Sequence, residues 1–163
     1  MEGNIQMKSE VFFLKYAFPC SFIILQRGEI TQEEFDQLEK AAINEDILPR
    51  KKLEKIFFRA FNRIKPIAEE LKRDIWDLSV LEEYFLKRHS KLAEEGFEMS
   101  KNIPRTLKEL CKIHVAKVVG KKENLLVTRY GDNTRVVMSA MVPEAKVGDK
   151  VTLHYGYAVE IVS

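Results

Sequence analysis

The hydrophobic period changes once along this chain of 163 residues, near Leu110, and that change fixes the fold class. Before it, apolar side chains recur every three or four positions, as on one face of a helix. Val11, Phe12, Leu14, Phe18, Phe22 and Leu25 form the first stripe, with a bend expected at Pro19 and an end at Gly28. Thr31-Gln32-Glu33-Glu34 has the form of a capping box, and Phe35, Leu38, Ala42 and Ile43 follow as an inner face. Pro49 suits the first turn of the next helix, whose stripe is Leu53, Ile56, Phe57, Ala60, Phe61 and Ile64. Pro66 is expected to kink or split that helix, with Ile67, Leu71, Ile75 and Leu78 continuing the stripe. Ser79-Val80-Leu81-Glu82 reads as a second capping box, before a stripe of Leu81, Tyr84, Phe85, Arg88 and Leu92. Gly96 stands where a helix would end. Antiparallel helices with short links make a bundle, with the aromatic stripe and Trp76 in its core. His89, set among Lys87, Arg88 and Lys91, is expected in solvent.

Residues 101–104 read as a linker, and Leu107 and Leu110 as a final helical turn. Alternation with a period of 2 then takes over. Ile113, Val115, Val118 and Val119 mark one strand, and Gly120 to Asn124 a turn. Strands follow at Leu125 to Tyr130, Thr134 to Met138, Lys150 to His154 and Tyr157 to Val162. Gly131-Asp132-Asn133 and Val147-Gly148-Asp149 supply turns, and Gly156 a break. Five short strands build a useful core only by closing into a barrel, which also removes exposed edges. The sequence therefore predicts an α+β protein of two domains: a helical bundle over residues 1–103 and a small five-stranded OB-like barrel over 104–163.

Charge and motifs narrow the function. Basic residues number 27 and acidic ones 25, a balance that gives no electrostatic case for a dedicated nucleic-acid binder. Cys20 and Cys111 form no CxxC pair and show no metal-ligand spacing, as expected of a reduced, cytoplasmic protein. The apolar run from Val11 to Leu25 contains Lys15 and Pro19, which suits a buried helix better than a membrane span or a signal peptide. No G-x-S-x-G, Gly-rich phosphate loop or H-E-x-x-H is present, so no enzyme activity is expected.

The barrel region carries the more specific signal. Its end reads Lys146-Val147-Gly148-Asp149-Lys150-Val151-Thr152-Leu153-His154-Tyr155-Gly156-Tyr157-Ala158-Val159. It resembles the end of the HypC/HupF family of hydrogenase-maturation chaperones, roughly V-G-D-x-V-x-V-H-x-G-[FY]-A-[IV]. Upstream, Cys111-Lys112-Ile113-His114-Val115-Ala116-Lys117-Val118-Val119 is similar to the family's opening segment. Val127 to Val137, with Gly131 at its turn, resembles the family's central hairpin, and Val142-Pro143 fits as well. Cys111 is internal here, and Val115 stands where the family has proline.

The resemblance implies a five-stranded OB-like barrel in a non-catalytic protein that binds a maturation factor and the hydrogenase precursor. It also implies transient carriage of iron, with Cys111 in the place of the family's functional cysteine and His154 in that of its histidine. The residues leave two other readings open. In a single-stranded nucleic-acid module, Tyr130, Tyr155 and Tyr157 would stack bases beside Lys117, Lys121, Lys122, Arg129 and Arg135. A metal or thiol enzyme would draw on Cys111, His114 and His154, although a regular strand points Cys111 and His114 to opposite sides.

Overall fold

Apolar residues surround the first helix on every side, and a helix of that kind belongs in a core rather than on a surface. In the computed structural model, which describes residues 7–94 and 105–162, α1 (Ser9–Ala17) runs through the middle of the helical region with Val11 to Ala17 all buried. Lys15 is buried with them, its Nζ 3.1 Å from the Glu45 carboxylate. Pro19 bends the chain as expected, in a short 3-10 turn (Phe18–Cys20) that leads into α2 (Ser21–Gln26). Gly28 follows with φ +73°, a conformation that favours glycine.

The capping box at Thr31 opens α3 (Gln32–Asn44): Thr31 Oγ1 accepts the Glu34 amide and the Glu34 carboxylate accepts the Thr31 amide, both at 3.1 Å. Leu38 and Ala42 face inward, but Ile43 is exposed. The expected break at Pro66 lies elsewhere. Pro66 is inside α5 (Phe58–Leu71), and the interruption separates α5 from α4 (Arg50–Ile56) at Phe57, with φ −102° and ψ 38°. Both Phe57 and Phe61 reach Phe13, with ring centroids at 5.4 and 4.7 Å. Trp76 joins the same aromatic core, 5.5 Å from Phe13.

The second predicted cap is also displaced. Asp77, not Ser79, caps α6 (Leu78–Glu82), its Oδ1 accepting the Ser79 amide at 2.9 Å. A π-helical stretch (Glu83–Arg88) then leads into α7 (His89–Glu94). This widened turn corrects the reading of His89. His89 and Ala93 face the core at 3% and 1% exposed, Leu92 packs at its edge, and Arg88 turns out to the carboxylates of Glu70 and Glu83. The expected end at Gly96 and the linker at 101–104 lie outside the described residues.

After α8 (Arg105–Cys111), five strands form a closed barrel: β1 (His114–Lys122), β2 (Leu125–Tyr130), β3 (Asn133–Met138), β4 (Lys150–His154) and β5 (Tyr157–Val162). The order around it is β1-β2-β3-β5-β4, antiparallel except where β3 meets β5 through Met138 and Tyr157. Gly120 does not start a turn. It lies within β1 at a bulge opposite Val127, and the turn is confined to Glu123 and Asn124. Ala116, Val118, Leu126, Val137, Val151, Leu153 and Ala158 fill the interior. The Val147-Gly148-Asp149 turn bonds back to Val118 through two backbone hydrogen bonds of 2.8 and 2.9 Å.

The barrel and the helices share packing. Met141 and Val159 belong to the hydrophobic cluster built around α1. Tyr16 Oη lies 3.0 Å from both Thr152 Oγ1 and the Glu160 carboxylate. The Phe18 and Tyr157 rings meet edge-on at 5.5 Å.

Candidate functional site

The β4–β5 hairpin reaches this junction, and its last β4 residue, His154, is fully buried there. Its Nδ1 lies 2.7 Å from the backbone carbonyl of Tyr16. A carbonyl only accepts, so Nδ1 carries the proton and donates it. Burial holds the ring near a pKa of about 4, against the help that the Tyr16 and Cys111 carbonyls give the charged form. The neutral ring has one N–H, which leaves Nε2 with its lone pair 3.1 Å from the Cys20 sulfur.

His89 completes the group. Its ring meets that of His154 edge-on, centroids 5.0 Å apart at 83°. Burial pushes its pKa well below the ordinary 6.5, and His154 and Arg63 add to the shift. One ligand-type atom from each of Cys20, His89 and His154 lies within 4.8 Å of the other two. Burial raises the Cys20 thiol well above its usual range, with Arg63 opposing.

A cavity of about 110 Å³ adjoins the group, with Cys20, His89, Cys111, Tyr155, Arg27 and Arg63 in its wall. Arg27 is exposed, so the cavity reaches solvent on that side. Cys111 is the last residue of α8 rather than part of a strand, and its Sγ lies 2.6 Å from Tyr155 Oη. Burial raises this thiol too, with the tyrosine hydroxyl pulling the other way. Tyr155 stands in the left-handed region at φ +53°, which turns its ring out of the hairpin and into the cavity wall.

The structure thus brings Cys111 and His154 to one region, but the His154 lone pair faces Cys20. His114 is directed elsewhere: it stacks on Tyr130 at 4.3 Å and contacts the Glu109 carbonyl through Nε2. Sequence reasoning missed Cys20 and His89. Their convergence shows in no short spacing, and only the run of Leu81, Phe85, His89 and Ala93 at intervals of four hinted that His89 turns inward.

The residues of the nucleic-acid reading are only partly assembled. Lys117 and Arg129 are cross-strand neighbours and both exposed, while Lys122 is exposed at the far end of β1, opposite Leu125. The Lys121 ammonium is bonded to the carbonyls of Pro143 and Ala145 at 2.8 and 2.6 Å. Arg135 donates to Tyr130 Oη at 2.7 Å, Tyr155 faces the cavity, and Tyr157 packs against Phe18 with its hydroxyl toward Glu39.

On the outer face of β2 and β3, apolar pairs point away from the barrel. Leu125 stands opposite Met138 and Val127 opposite Val136, with Leu125 40%, Met138 36% and Val136 55% exposed. Among the described residues no helix is long and apolar enough to cross a membrane. Compared with known proteins, the chain matches no family model and no curated protein.

Proposed function

We propose that this chain is a non-catalytic accessory protein of the cytoplasm that holds a protein partner on the outer face of its barrel. The assembly of a metalloenzyme such as a hydrogenase is the setting. The observation that carries this reading is the apolar face of Leu125, Val127, Val136 and Met138, since a contiguous exposed apolar patch on a small domain marks a contact surface. The resemblance of Cys111 to Val162 to hydrogenase-maturation chaperones supplies the class of partner: a maturation factor or an unprocessed hydrogenase large subunit. In that role the barrel acts by docking.

Capture experiments test it. The tagged chain is expected to retain a hydrogenase precursor or maturation factor from native cells, and Val136→Lys to lose that partner. Failure to retain either, with the parent chain folded, removes the hydrogenase assignment.

A single-stranded nucleic-acid module is the second reading, resting on the exposed Lys117 and Arg129 pair. Retardation of single-stranded RNA at low salt would favour it, and no retardation would eliminate it.

A further inference from the structure

The group around His154 combines two features that are independent of each other. One is convergence: Cys20, from the turn after α1, His89, from the start of α7, and His154, from the end of β4, bring a sulfur and two imidazole nitrogens within 4.8 Å. A tetrahedral ion with bonds of about 2.0 Å to nitrogen and 2.3 Å to sulfur holds such atoms roughly 3.3–3.5 Å apart, so small side-chain adjustments close the set. The other is orientation. The Tyr16 carbonyl accepts the Nδ1 proton of His154 at 2.7 Å, which fixes the ring and aims the Nε2 lone pair at Cys20. Metal-binding histidines are held in this way, by a backbone carbonyl on the far nitrogen.

We infer that Cys20, His89 and His154 form a mononuclear site for a zinc-type divalent transition-metal ion, with a fourth position open to the adjoining cavity. Thiolate and imidazole donors select borderline ions of this kind over magnesium or calcium. Binding forms a metal–sulfur bond as the Cys20 thiol proton leaves to solvent, and both imidazoles stay neutral. A divalent ion with one thiolate retains a single positive charge. Because Arg27 and Arg63 also border the cavity, the open position favours an anionic fourth ligand. Three protein ligands and an open place are the arrangement of sites that exchange small ligands, not of closed structural ones. Two of the three ligands come from the helical region, so the inference does not depend on the barrel's partner. Metal binding and partner capture can each fail without the other.

The test uses the full chain, reduced, stripped with a chelator and titrated with cobalt(II) alone. One equivalent is expected to give a sulfur-to-cobalt charge-transfer band and the strong visible absorption of a four-coordinate ion, both lost on adding zinc(II). Cys20→Ser is expected to lose the charge-transfer band and Cys111→Ser to keep it. The reverse pattern, or no uptake by the parent chain, overturns the site. X-ray absorption of the zinc-loaded parent needs no variant and covers the case in which Cys20→Ser does not fold. One sulfur with two imidazoles supports the assignment, and a shell of oxygen and nitrogen without sulfur overturns it.

Discussion

The Cys20 sulfur and His154 Nε2 lie 3.1 Å apart although 134 positions separate them in the chain. Their contact joins a helical turn to the end of a barrel strand, in an interior where charge is costly. The metal-free protein should therefore lose stability in mild acid. His154 titrates near a pKa of about 4 when folded, against an ordinary 6.5, so the unfolded chain takes up the proton first as pH falls. The contribution is complete above about pH 6.5 and drains away between there and about pH 4; His154 alone accounts for about 2 kcal/mol by pH 5. His89 is shifted in the same direction and steepens the loss. Urea unfolding midpoints measured with chelator present should fall clearly between about pH 7 and about pH 5, and a flat profile contradicts the burial of two neutral rings.

Tyr16 ties α1 to the barrel through Thr152 and Glu160. Tyr16→Phe keeps the ring and removes the hydroxyl, leaving the buried Thr152 with a poorer partner. A loss of about 1–2 kcal/mol is expected from denaturant titration. An unchanged midpoint would show that the hydroxyl adds nothing to the junction.

Both thiols should resist modification. Burial raises Cys20 and Cys111 alike, so little thiolate forms at neutral pH. Disulfide-exchange reagents should react slowly with the native chain and rapidly with both cysteines once it is unfolded. Rapid titration of either thiol in the native state would contradict the packing described.

Val136→Lys separates docking from folding. The side chain already faces solvent, so thermal stability should change by less than about 0.5 kcal/mol. Loss of partner binding with an unchanged melting curve is the expected outcome. Undiminished binding would move the contact surface elsewhere.

Much of the barrel was legible in the sequence because strand alternation and glycine turns are local signals. The reading placed β2, β4 and β5 at their observed bounds, and the Thr31 capping box likewise depends on residues three apart. What failed required tertiary information. Pro66 is accommodated within α5, while the chain breaks at Phe57, where the ring packs on Phe13. His89 follows the π-helical turn into the core, and the charged neighbours Lys87, Arg88 and Lys91 masked the spacing of four from Phe85 that pointed there. For the site, His154 was legible as part of a motif. Cys20 and His89 were not, because donors brought together by a fold leave no spacing in the sequence.

The walls of the cavity come from both halves of the chain: Cys20 and His89 on one side, Cys111 and Tyr155 on the other. A guest that settles there touches both, and so favours the docked arrangement over any state in which the halves part. By mass action, occupancy at a hundredfold excess over the dissociation constant adds about 2.7 kcal/mol to the folded form. The chain's heat resistance thus becomes a gauge of what the cavity holds, and a melting-temperature survey of small anions and metal ions would find its natural guest with the purified chain alone.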